Sequence, residues 1–128
     1  MIHRTRSTVS AALILLMSAC STRGSDTIPM PREYTDTRVE VTNNNWSAMR
    51  VYAVRGTSRF RLGTVTSMDT QVFRLPRAFS GASGEIRLIA DPIGSHEMHV
   101  TPNINVAPGQ MLSFQIENYL PISSLFIR

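Results

Sequence analysis

From Val39 onward apolar residues fall at every second position, and this alternation constrains the chain more than any other feature. It runs through "VEV" at 39–41, "MRVYAV" at 49–54, "RFRLGTV" at 59–65, "QVFRLP" at 71–76 and "EIRLIA" at 85–90. It continues in "MHV" at 98–100, "NINV" at 103–106, "MLSFQIE" at 111–117 and "SLFIR" at 124–128. Period two is the repeat of a strand with one face buried. No segment carries a helical stripe. Between the runs lie turn signals with defined mechanisms. Asp91-Pro92-Ile93-Gly94 places Pro second and Gly fourth, as a type I turn prefers, and Ala107-Pro108-Gly109-Gln110 places Gly third, as type II requires. "NNN" at 43–45 and "SGASG" at 80–84 read as loops. Short strands at this spacing predict an all-β fold, a single antiparallel β-sandwich of about seven to nine strands over residues 38–128. Such a span is small but large enough to fold without staples.

The same alternation predicts the core. Val39, Val41, Met49, Val51, Ala53, Phe60, Leu62, Phe73, Leu75, Ile86, Leu88 and Ala90 should point inward. So should Ile104, Val106, Leu112, Phe114, Ile116, Leu125 and Ile127. The run "V-x-V…VY…RLG…F-x-LP…I-x-L…V-x-PG" loosely resembles the small immunoglobulin- or transthyretin-like modules of bacterial envelopes, among them PEGA domains. The full motif that names PEGA domains is absent. What the resemblance implies is a non-catalytic adaptor.

The N-terminal region obeys a different grammar. Val9 to Ala19 is an apolar run of eleven residues, preceded by Arg4 and Arg6 and ending in the small residues Ser18 and Ala19. A membrane-spanning helix needs about 20 apolar residues, whereas a basic start, a short apolar stretch and small residues at the end describe a secretory signal. The chain's one cysteine, Cys20, follows immediately. A lone cysteine cannot form an internal disulfide. An ordinary thiol after an ordinary signal peptide, or an uncleaved anchor, remains an alternative reading of this stretch.

Met17-Ser18-Ala19-Cys20 resembles the lipobox of bacterial lipoproteins, with Met17 where Leu is usual. The resemblance covers residues 1–20. It implies that residues 1–19 are removed, that the Cys20 sulfur takes a diacylglycerol and that the new amino group is acylated. Two or more acyl chains anchor stably where one holds only reversibly, so membrane lipid is the implied partner of Cys20. Ser21 after the cysteine implies the outer membrane, with the domain facing the periplasm, where the organism has two membranes. Residues 20–37 then form the lipidated N-terminus and a linker rich in Ser, Thr, Pro and charge.

Charge excludes little. All 13 basic residues are arginine, and Arg4 and Arg6 precede Cys20, so the mature chain carries 11 against 9 acidic residues, a net +2 rather than +4. Neither a phosphate-cradling glycine loop nor a nucleic-acid signature is present. His96 and His99 in "SHEMH" are three apart rather than the four a zinc-protease helix requires, and read as loop histidines without a metal. There is no "GxSxG" elbow, and nothing in the spacing of Asp69, Glu85, Asp91, Glu97 and Glu117 selects a carboxylate pair. No enzyme activity, cofactor or nucleic-acid partner is expected.

One constellation remains. With Val51, Phe60 and Phe73 inward, period two sends Arg50, Tyr52, Arg59, Arg61 and Arg74 outward on three successive strands. Paired as a meander, these strands would present a basic face with an aromatic in it, able to take an anionic polymer or an acidic envelope protein. The same residues would equally serve as stems covering the outside of the sandwich. Trp46, beside the Asn loop, is a candidate aromatic contact or a plug for the end of the core. Two function classes follow. The first is a membrane-tethered, non-catalytic interaction or structural module of the envelope. The second is a small periplasmic glycan-binding or hydrolytic protein, which would need Trp46, Tyr52 or clustered acids inside a concave site.

Overall fold

The computed structural model of the protein describes residues 36–81 and 84–128. All nine alternating runs are strands: β1 (Arg38–Asn43), β2 (Met49–Arg55), β3 (Ser58–Val65), β4 (Thr70–Arg74), β5 (Glu85–Pro92), β6 (His99–Val100), β7 (Ile104–Asn105), β8 (Met111–Ile116) and β9 (Ser124–Ile127). They form two sheets, one ordered β4-β1-β8-β9 and the other β3-β2-β5-β6, with β7 also on β5. The described residues are thus an all-β sandwich. Six of the seven pairings are antiparallel, and β1 runs parallel to β8, Val39 opposite Leu112 and Val41 opposite Phe114.

Thirteen of the nineteen expected core residues are buried, from Val39 and Val41 through Met49, Val51 and Ala53 to Leu112, Phe114 and Ile116. Leu62, Phe73, Ile104 and Leu125 are half-buried and pack against them. Phe60 and Ile127 depart from the expectation, at 41% and 38% exposed. Both lie on edge strands, β3 and β9, which have a neighbour on one side only. The Phe60 ring meets Phe79 instead, at 6.0 Å between centroids.

Strict alternation from Phe60 would send Val65 outward, yet it is fully buried. The cause is a β-bulge. Val51 faces Gly63 while its neighbour Tyr52 faces Arg61, so Leu62 is an extra residue and the parity of β3 reverses beyond it. Gly63 thereby turns inward, where an added Cβ would stand 2.5 Å from the Phe73 ring of the opposite sheet. Glycine at this point lets the two edge strands close one side of the sandwich.

Turn chemistry follows its sequence in one case and shifts in the other. Gly109 has φ +84° and the Gln110 N–H donates to the Ala107 carbonyl at 3.3 Å, the expected type II turn. At the other site β5 continues through Pro92 and the turn falls at Ile93 and Gly94, with Gly94 at φ +88°. Thr37 already belongs to the folded part: it is buried, and its hydroxyl accepts from the Gly109 N–H at 2.9 Å. Among the described residues no helix is long and apolar enough to cross a membrane. Cys20, the expected signal peptide and the linker up to residue 35 lie outside them.

Candidate functional site

The expected basic face divides between the sheets. Arg50 and Tyr52 on β2 and Arg59 and Arg61 on β3 share the outer surface of the second sheet, with Tyr52 opposite Arg61. Arg74 does not join them. After β3 the chain crosses to the other sheet, where β4 pairs with β1 and Arg74 stands opposite Arg38. No meander forms, because period two carries no information about which strand pairs with which.

The four residues that do share a face are engaged with their neighbours. Arg50 pairs with Asp91 at 3.1 Å. The Arg59 guanidinium lies over the Tyr52 ring, 3.8 Å from its centroid, and Arg61 donates to the Thr64 hydroxyl at 2.8 Å. Val54 stands between Arg59 and Arg87 on the adjoining strands and is only 8% exposed, although it points to the outer side. Arginine stems covering an apolar strand explain that burial.

Trp46 leads to a different site. It is 76% exposed, so it does not plug the core. Its loop, residues 44–48, lies at the same end of the sandwich as the β3–β4 loop (66–69), the β5–β6 loop (93–98) and the β8–β9 loop (117–123). Buried Asn43 ties the first two together, its amide donating to the carbonyls of Val65 and Thr66 at 3.3 and 3.0 Å. Asn45 ties in the β8–β9 loop through the carbonyls of Glu117 and Asn118 at 3.2 and 3.0 Å. The Ile93 N–H donates to the Ala48 carbonyl at 2.9 Å and so holds the β5–β6 loop.

On this frame stand Trp46, Met68, Ile93, Met98, Tyr119 and Ile122, six of the eleven exposed large hydrophobic side chains among the described residues. The four loops contain no arginine, while Asp69, Glu97 and Glu117 lie within them. The Thr70 N–H, followed by Gln71, holds the Asp69 carboxyl below its usual range. This pole is therefore apolar and acidic. Of these six residues sequence reasoning singled out Trp46 alone, because it otherwise read apolar residues within alternating runs. The available signal was that five of the six, all but Met98, are large apolar residues falling between those runs.

The histidines separate as well. His96 is exposed in the β5–β6 loop, whereas His99 opens β6 and turns inward. Its ring stacks on Phe114, centroids 6.3 Å apart and planes at 29°, and its Nε2 is buried without a hydrogen-bond partner. Burial lowers its pKa from the usual 6.5. A histidine whose folded pKa is depressed holds the fold back from accepting a proton that the unfolded chain takes up, so stability falls as pH drops from about 7 through the folded pKa. His99→Phe should remove that part of the acid sensitivity, seen as a smaller difference between urea midpoints at pH 7.5 and 5.5. An unchanged difference would assign the sensitivity to other groups. No group of three or more His, Cys, Asp or Glu arranged to hold a metal occurs among the described residues.

Among the described residues, four surface depressions of about 400–480 Å³ stand out. Two of them border the apolar pole: one of about 460 Å³, lined by Glu97, Met98, His99, Tyr119, Leu120 and Pro121, and one of about 400 Å³, where Arg50 and Asp91 meet Gly94, Ser95, His96 and Met98 of the β5–β6 loop. Neither Trp46 nor Tyr52 lines any of the four, and none brings two carboxylates together.

No family model matches the chain, and no curated protein matches it. Among solved structures, the chain is similar to the NMR structure of a protein from Eubacterium rectale, at 10% sequence identity and a TM-score of 0.45, over 73% of this chain and 88% of that one.

Proposed function

We propose that the protein is a membrane-tethered lipoprotein of the bacterial cell envelope, anchored through acylated Cys20, that works as a non-catalytic interaction module. The observation that carries this reading is the apolar, acidic pole. Exposed apolar groups gathered on loops at one end of a small domain are the usual sign of a protein contact, and loops that carry acids and no arginine, with the bordering Arg50 paired to Asp91, fit a partner that surrounds its own apolar patch with basic residues. The pole is also well placed for contact. β1 starts at the end of the sandwich opposite the apolar loops, so an anchor at Cys20 would be joined to the domain at the far end from them. The expected location is the outer membrane, facing the periplasm. The depression beside Tyr119 supports a second reading, in which the same pole takes an envelope glycan on its aromatic residues.

Two measurements on the full chain test the proposal. Fatty-acid labelling should mark the wild-type protein in the membrane fraction and vanish in Cys20→Ala, and label persisting in that variant would remove the lipoprotein reading. A photo-crosslinking residue at Trp46 or Tyr119 should give one discrete protein adduct that Ile122→Asp abolishes, whereas the same residue at Thr57, at the other end, should give none. Equal crosslinking from both ends would remove the interaction reading.

A further inference from the structure

The end at which the chain enters the sandwich has the opposite character to the loop pole. On the outer face of the first sheet, Arg74 and Arg38 are direct cross-strand neighbours, Arg38 is opposite Met111, and Arg128 reaches the same level, its N–H donating to the Met111 carbonyl at 2.8 Å. Three arginines thus stand in a row across the sheet, about 14 Å wide at the usual strand spacing. Like charges set directly opposite one another destabilise a sheet. Asp36 offsets Arg74 at 2.9 Å and Glu40 offsets Arg128 at 2.8 Å, while Arg38 between them has no ion-pair partner among the described residues. All three remain exposed, and the next outward row along the strands runs Val72, Glu40, Ser113, Phe126, with Val72 and Phe126 51% and 40% exposed at its two ends and Glu40 held by Arg128. A row of planar guanidinium forks with apolar side chains beside it matches the phosphate level of a lipid surface.

The position of this row in the chain identifies the surface. Asp36, which pairs with Arg74, is the first described residue, and fifteen residues separate it from Cys20. Fifteen residues reach about 20 Å as a flexible coil and about 50 Å when extended, so acyl chains on Cys20 would keep phosphate headgroups within constant reach of the row. We propose that Arg38, Arg74 and Arg128 seat the domain on the anionic phospholipid headgroups of the bilayer that holds its lipid anchor. This rests on the lipoprotein reading for its high local lipid concentration. The consequence is orientation: a domain resting on this row presents the apolar loop pole away from its own membrane.

The test uses the mature chain from residue 20 carrying Cys20→Ser, so that no lipid is attached and the outcome is separate from the fatty-acid labelling above. Sedimentation with vesicles of phosphatidylcholine and phosphatidylglycerol at 7:3 should bind at least about tenfold more protein than phosphatidylcholine alone, and about 0.5 M salt should abolish the difference. Each arginine near an anionic surface contributes about fivefold. The double variant Arg38→Gln/Arg74→Gln should therefore lose about 25-fold, while Arg59→Gln/Arg61→Gln, equal in charge but on the other sheet, should lose less than about threefold. Circular dichroism and urea midpoints confirm that both variants are folded. Equal binding to the two vesicle types, or equal loss in the two double variants, overturns the proposal.

Discussion

Asn43→Asp is expected to destabilise the domain by about 3–5 kcal/mol, a large part of the 5–15 kcal/mol that holds a typical domain together. Asn43 is fully buried. Its Nδ2 donates to the carbonyls of Ser47, Val65 and Thr66 at 2.9, 3.3 and 3.0 Å, and its Oδ1 accepts from the Asn45 N–H at 3.0 Å. The substitution keeps the shape and replaces the donor with an oxygen facing three carbonyl oxygens, in a place where water cannot compensate. Protonating the introduced carboxyl restores one donor, so the deficit should shrink as pH falls toward 5. Urea unfolding at pH 7.5 and 5.5 measures both effects. Crosslinking from Trp46 should weaken even where the fold survives, because this amide ties two of the loops on which the pole stands. A loss below about 1 kcal/mol would show that Asn43 is not the fastening of these loops.

Phe114→Ala should cost about 3–5 kcal/mol, the range for emptying the place of a buried aromatic ring. Phe114 is the largest fully buried side chain among the described residues, and it lies on β8, between β1 and β9, opposite both Val41 and Leu125. Removing it leaves a void that strands paired on both sides cannot close. The ring also covers one side of His99. Truncation should let water reach that imidazole and raise its pKa back toward 6.5, an effect that NMR titration of His99 reads independently of stability. A large loss of stability with no movement of the His99 titration would show that the desolvation of His99 comes from elsewhere.

Much of the fold was legible because alternation reports directly on which face of a strand is buried. Each of the nine alternating runs is a strand, and the core residues Val39, Val41, Val51, Leu88, Leu112 and Ile116 lie where period two places them. The type II turn at Pro108-Gly109 was equally readable, since a positive φ at its third position selects glycine. Phe60 and Ile127 escaped the pattern for a simple reason. An inward direction buries a side chain only where a neighbouring strand covers it, and the position of a strand at an edge is not written in its own residues.

Local sequence determined that the chain from Val39 onward is β, which side of most strands is apolar, and that an apolar run ending at a single cysteine precedes it. Only the tertiary structure decided the strand order, and with it the parallel pairing of β1 with β8, the separation of Arg74 from Arg50, Tyr52, Arg59 and Arg61, and the approach of Arg74 to Arg38. It also decided the reversal of β3 beyond Leu62, which needs a partner strand for the extra residue to be left over. The loop pole arose in the same way, from residues as distant as Trp46 and Ile122 brought to one end by strand direction. Alternation acts within a strand, over a few residues, whereas pairing is selected by the free energy of the whole core, and sites assembled between strands inherit that non-local origin.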